Sequence, residues 1–201
     1  MTPTSHTSLS WFGKLPGAGD FAHRRMPPAL HTCWDNWLHD GLADLRVRHP
    51  SWIDAYLTSP VWGFLLGPGI AGDTAWIGAL APSVDRVGRY YPISVFTPLP
   101  ESAEDLAGWW HTAHHLLLQA LESDADADDF EQLLAAGFTP SAESTSQTET
   151  VRQPGPGQTI WIHASHPQAS PLIETDGLPR GPLFDLLFDT QPAAAQLEDG
   201  T

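Results

Sequence analysis

Three apolar runs lie close together in the middle of the chain: Val61–Leu66, Thr74–Ala81 and Ile93–Pro98. The first is apolar throughout, the pattern of a strand buried on both faces. Connections this short join antiparallel neighbours rather than parallel ones. The three runs therefore predict neighbouring antiparallel strands. Between the last two runs sits Pro82-Ser83-Val84-Asp85-Arg86-Val87-Gly88-Arg89-Tyr90-Tyr91-Pro92. A solvated loop is rich in Ser, Asn, Asp and Gly. Here Asp85, Arg86 and Arg89 are set among Val84, Val87, Tyr90 and Tyr91, so the loop reads as one pinned to the body of the protein.

The rest of the chain supplies partners for that sheet. Leu9–Leu15 reads as a strand with Trp11 and Phe12, and Pro16–Asp20 as a turn. Phe21–Met26 carries His23, Arg24 and Arg25 to Pro27-Pro28, which suit the first turn of a helix. Leu30, Trp34, Trp37, Leu38, Leu42 and Leu45 then recur at spacings of three and four, one stripe of an amphipathic helix ending near Arg48. Ser51 is expected to cap a short helix over Trp52–Leu57. Glu101–Glu122 returns to helical period through Leu106, Trp109, Trp110, Ala113, Leu117 and Ala120. Asp124–Asp129 opens a further helix over Phe130–Ala136. Thr159–Ala164 is expected as a strand, Pro171–Glu174 as one more short one, and Leu183–Phe188 as a final helix. The expected organisation is a tail over 1–9, one α/β domain over 10–190 with a mobile loop at 139–158, and a tail over 191–201. The sheet is expected to hold about five strands.

Charge and cysteine content narrow the function. Residues 1–100 hold seven basic and seven acidic side chains, so the formal charge of −15 belongs to the other half. That half would repel a phosphate backbone, which argues against nucleic acid as a partner. Only one cysteine is present, Cys33, so no internal disulfide forms and a reducing compartment fits. Met1–Ser10 is polar and lacks the basic start and apolar run of a signal peptide. No apolar stretch is long enough for a membrane helix. A cytoplasmic protein that does not insert in the membrane is expected.

The motifs with the look of chemistry fall short one by one. Gly67-Pro68-Gly69-Ile70-Ala71-Gly72 has the spacing of a dinucleotide loop, but a strand rather than a helix follows it, and Pro68 lacks a donor. Gly13-Lys14 has no following Ser or Thr. His111, His114 and His115 share a helix face without a companion Cys pair or His-Glu-x-x-His, so no metal is expected. Cys33 falls inside the first amphipathic helix, and no Gly-x-Ser-x-Gly elbow occurs. Asp20 and Asp85 are the candidates for an acid–base pair, but each has arginines nearby in sequence that would keep it ionised. No catalytic residue and no cofactor is expected.

Several ordered segments resemble the TagF (ImpM) family associated with the type VI secretion system. They are Trp11-Phe12-Gly13-Lys14-Leu15-Pro16 with Gly19-Asp20-Phe21, Trp34-Asp35-x-Trp37-Leu38, Ala55-Tyr56-Leu57-x-x-Pro60-Val61-Trp62-x-Phe64, and the whole of Pro82–Pro92. The resemblance runs from about Ser10 to Pro100. It implies a central, mostly antiparallel sheet with helices on both sides, of longin or profilin type. It also implies a cytoplasmic, post-translational repressor of secretion that binds the forkhead-associated scaffold protein of the system.

A regulator of that kind needs a displayed surface. Arg and aromatic side chains dominate binding hot spots. The candidates are Lys14, Asp20, Arg24, Arg25, Asp85, Arg86, Arg89 and Tyr90, as partner contacts or as a clamp between the two Gly-containing loops. The alternative is a hydrolase using Asp20, Asp85 or His23 in a cleft between the 13–25 and 82–92 loops. A third reading is a phosphopeptide module built on arginines that hold phosphate bidentately.

Overall fold

A computed structural model describes residues 9–100, 106–138, 152–165 and 173–188. The two expected tails beyond Leu9, residues 139–151 of the expected mobile loop, the expected helix start at 101–105 and residues 171–172 of the short strand lie outside the described residues. Among the described residues, seven strands form one antiparallel sheet in the order β2-β1-β5-β4-β3-β6-β7. They are β1 (Ser10–Gly13), β2 (Ala22–Arg24), β3 (Trp62–Leu66), β4 (Trp76–Ala81), β5 (Ile93–Pro98), β6 (Gln158–His163) and β7 (Ile173–Asp176). The described residues also form five helices: α1 (Pro28–Arg48), α2 (Trp52–Thr58), α3 (Leu106–Glu122), α4 (Ala127–Gly137) and α5 (Pro182–Leu186).

The central runs pair as their short connections require, with β3 against β4 and β4 against β5, all antiparallel. Their side chains divide between two cores because successive residues point to opposite faces. Leu65, Ile77, Ala79, Ile93, Val95, Ile160 and Ile162 meet α3 and α4 on one face. Trp62, Phe64, Leu66, Leu80, Phe96 and Trp161 meet α1, α2 and α5 on the other. The predicted stripe of α1 is the buried one, Leu30 through Leu45. On the opposite face Trp110 packs against β3, where a Cβ on Gly63 would come within 2.7 Å of its ring. Its indole N–H reaches Gly78 O of β4 at 3.0 Å.

Three expectations are refined by the structure. Among the described residues the sheet has seven strands, two more than the expected five or so. One of the additions, β2, is a three-residue edge element, partly exposed and without apolar alternation, so no periodicity announces it. Ser51 does not cap α2: its backbone sits at φ −98° and ψ 25°, outside the extended geometry a cap needs, and its side chain accepts no helix N–H. Helix α4 begins earlier than Phe130, at Ala127, because Asp126 and Asp129 form a reciprocal capping box. None of the described helices is long and apolar enough to cross a membrane.

Register decides where the two candidate loops meet. Ile93, the first residue of β5, pairs with Gly13 at the end of β1 and with Ala81 at the end of β4. The loop leaving β1 and the loop joining β4 to β5 therefore emerge side by side at one end of the sheet.

Candidate functional site: a two-loop junction with a displayed arginine surface

The 82–92 loop folds back on itself first. An isolated bridge joins Val84 to Tyr90, the Asp85 N–H donates to Arg89 O, and Gly88 turns the chain at φ +84°. Ser83 then fastens its base. The Ser83 hydroxyl donates to Lys14 O at 2.8 Å, and the Tyr56 hydroxyl donates to Ser83 O at 2.9 Å. Burial pushes the Tyr56 phenol far above its ordinary range, so it stays a neutral donor.

Asp85 is the hub. Its carboxylate accepts from Lys14 Nζ at 2.6 Å, Arg89 Nε at 2.7 Å, the Arg89 N–H at 2.9 Å and the Val87 N–H at 3.1 Å. Burial alone would raise its pKa. The bonds from Lys14 and Arg89 outweigh that and hold the carboxyl well below the usual carboxylate range. A group so committed cannot exchange protons near neutral pH, so Asp85 is unsuited to the acid–base role the hydrolase alternative asked of it. Across the junction, Arg89 Nη2 donates to Gly19 O, and the Arg86 N–H donates to Ala18 O at 3.0 Å. Asp20 stands 3.8 Å from Arg89 with 83% of its side chain exposed, too open to contribute much binding energy.

What faces solvent is apolar and basic together. Phe21 is 46% exposed and Val87 62%. Lys14 Nζ lies 4.1 Å from the Phe21 ring centroid, and Phe21 stacks on Phe12 and stands edge-on to Tyr91. The exposed Arg86 side chain passes over Gly19, 3.2 Å from where a Cβ would be. Phe21, Val87, Arg86 and Arg89 are thus outward-facing groups mounted on a locked pair of loops.

The other predicted site residues lie elsewhere. Arg25, at φ +56°, donates through both terminal nitrogens to Glu131 on α4, at 2.8 and 2.7 Å, and through Nε to Leu9 O. The Trp11 indole donates to the same carboxylate. Arg25 first, with Trp11, lowers the Glu131 pKa against the opposing effect of burial. Arg24 is exposed and ranges over Trp11, 5.7 Å from its ring. Tyr90 is half-buried, edge-on to Trp52 and Tyr56. Sequence reasoning missed Glu131, Ser83 and Tyr56. Ser83 and Tyr56 stood inside the quoted segments, but Glu131 lies 106 positions from Arg25 and carries no local signal. Among the described residues no group of three His, Cys, Asp or Glu side chains is placed to hold a metal ion.

Comparison with known proteins places this architecture. The family model described as the TagF N-terminal domain, type VI secretion system-associated, matches residues 10–136. No curated protein matches the chain. The crystal structure of PA0076 from Pseudomonas aeruginosa PAO1 is similar at 33% sequence identity and a TM-score of 0.71, over 90% of this chain and 94% of that one.

Proposed function

The chain belongs to the family of the type VI secretion system-associated TagF N-terminal domain, and from that membership we propose that it is a non-enzymatic regulator of the secretion system. In this reading it acts in the cytoplasm, after translation, as a repressor, and it does so by binding the forkhead-associated scaffold protein of the system. The sheet with helices on both faces serves as a longin- or profilin-like adaptor frame.

One observation carries the reading. Asp85 locks the 13–25 and 82–92 loops from within, while Arg86, Val87, Arg89 and Phe21 remain exposed on the outside of the same junction. Order on the inside and exposed arginine and aromatic groups on the outside suit protein recognition, because little entropy is lost when the surface is engaged. The Asp85 carboxylate spends its acceptors on structure, which fits a binding role better than catalysis.

The test is capture of the purified scaffold protein by this chain, with the double substitution Phe21→Ser and Arg86→Glu as the contrast. Both residues are exposed, and circular dichroism checks that the fold is kept. Loss of capture by the double variant, with an unchanged circular dichroism spectrum, is the expected result. Equal capture by both proteins would move the interface away from the junction. Failure of the unsubstituted chain to capture the scaffold would remove the proposed partner.

A further inference from the structure

The outer face of α3 carries a pair of imidazoles that the junction does not use. His111 and His115, one helical turn apart and both exposed, bring their Nε2 atoms to 3.1 Å. Their ring centroids are 4.5 Å apart with the planes at 81°. Side chains at i and i+4 meet on one helix surface. Here it is the two outward nitrogens that converge, not the ring edges.

We propose that His111 and His115 chelate a divalent transition-metal ion, of which zinc is the simplest example, through their two Nε2 atoms. Zinc–imidazole bonds are about 2.0–2.1 Å long, so two nitrogens on one ion stand about 2.9 Å apart at a right angle and about 3.3 Å apart at the tetrahedral angle. The observed 3.1 Å falls between those limits. Without metal, the same separation is met by a single N–H···N bond, which needs one ring protonated at Nε2 and the other at Nδ1. Binding the ion needs both rings neutral with the proton on Nδ1, where solvent can accept it. One proton changes nitrogen and no side chain has to move far.

The ion keeps its remaining positions for water or for a donor from another molecule, as expected of a site with two protein ligands. Neutral imidazole suits zinc, copper and nickel over calcium or magnesium. The acidic half of the chain, which includes α3, favours the approach of any cation. The proposal departs from the sequence expectation of no metal, which rested on the type and spacing of the histidines, because the two Nε2 atoms converge.

The experiment is calorimetric titration of zinc chloride into the full chain, prepared without a histidine tag and freed of metal with a chelator. A single-site isotherm is expected. His111→Ala and His115→Ala should each weaken it by about 10²-fold, because the second imidazole acts as an intramolecular ligand at high effective concentration. His23→Ala, on the β2 edge, should leave it unchanged. Both target residues are exposed on a helix, and Ala favours helix, so circular dichroism should show the fold intact. Absence of zinc binding by the unsubstituted chain would overturn the proposal. So would undiminished binding in either alanine variant, or a loss confined to His23→Ala.

Discussion

Lys14 Nζ lies 2.6 Å from Asp85 Oδ2, with 3% and 0% of the two side chains exposed and 71 positions between them in sequence. Removing one member of a buried ion pair leaves the other charge without compensation, at a cost of about 3–5 kcal/mol. Asp85→Ala should therefore destabilise the protein by about that amount, since Lys14 and Arg89 both lose their acceptor. Lys14→Met should cost less, because Asp85 keeps Arg89 Nε and two backbone N–H groups. Urea unfolding of the two variants should give that order. A larger loss for Lys14→Met would mean that Arg89, rather than Lys14, is the minor partner.

The same carboxylate makes acid stability diagnostic. Its folded pKa is lowered, so its contribution is complete above the ordinary Asp value of about 3.9 and is lost as pH falls below that value toward the folded one. Glu131 and Asp185 are shifted in the same direction and add to the loss. Melting temperature should hold steady from neutral pH down to about pH 5 and then fall. Asp85→Asn should start lower and fall less steeply. Parallel curves for the two proteins would contradict the assignment.

Gly13 ends β1 at φ +146°, and a Cβ there would lie 2.1 Å from Pro92 O. The obstacle is backbone of the second loop, which cannot turn aside as a side chain would. Gly13→Ala should cost about 3 kcal/mol or more, measured by thermal or chemical unfolding. A change under about 0.5 kcal/mol would show that the two loops can separate freely.

Arg24 and Arg25 are neighbours with different duties. Arg25 grips Glu131 with two nitrogens and Leu9 O with a third, whereas Arg24 is exposed. Lysine preserves the charge of Arg25 and loses the fork, so Arg25→Lys should cost about 1 kcal/mol or more. Arg24→Ala should stay within about 0.5 kcal/mol of the parent. Reversal of that order in denaturant titrations would place the contact to α4 on Arg24.

A second buried carboxylate holds the last helix. Asp185 accepts from Arg48 Nε at 2.9 Å and Nη2 at 2.6 Å, and lies 3.0 Å from His49 Nε2. Burial would raise its pKa, and Arg48 and His49 more than reverse that. Asp185→Ala should loosen α5 by about 2–3 kcal/mol, seen as faster amide exchange at Leu187 and Phe188 while the central strands keep their protection. Unchanged exchange would show that Phe184 and Phe188 hold α5 without the ion pair.

Much of the frame can be read from one-dimensional patterns. The runs 61–66, 74–81 and 93–98 announce central antiparallel strands, and the Leu30–Leu45 stripe announces α1, because a period of two or 3.6 records which side is buried. The segment 82–92 also stands out as pinned, since apolar and charged residues are interleaved where a free loop would be polar. Edge elements escape this reading. Strand β2 has no buried face of its own and exists because β1 offers it hydrogen-bond partners.

By itself the sequence determined the central strands, the buried stripe of α1 and the likeness to the family, and it marked 82–92 as a pinned segment. Tertiary structure alone decided which charges meet. Lys14 finds Asp85 because Gly13 and Ala81 both pair with Ile93 and so release their loops at the same end of the sheet. Arg25, adjacent to Arg24, turns instead to Glu131 on α4. Periodicity is local and set by the geometry of one element, whereas an ion pair depends on where distant elements dock, which no single stretch of chain encodes.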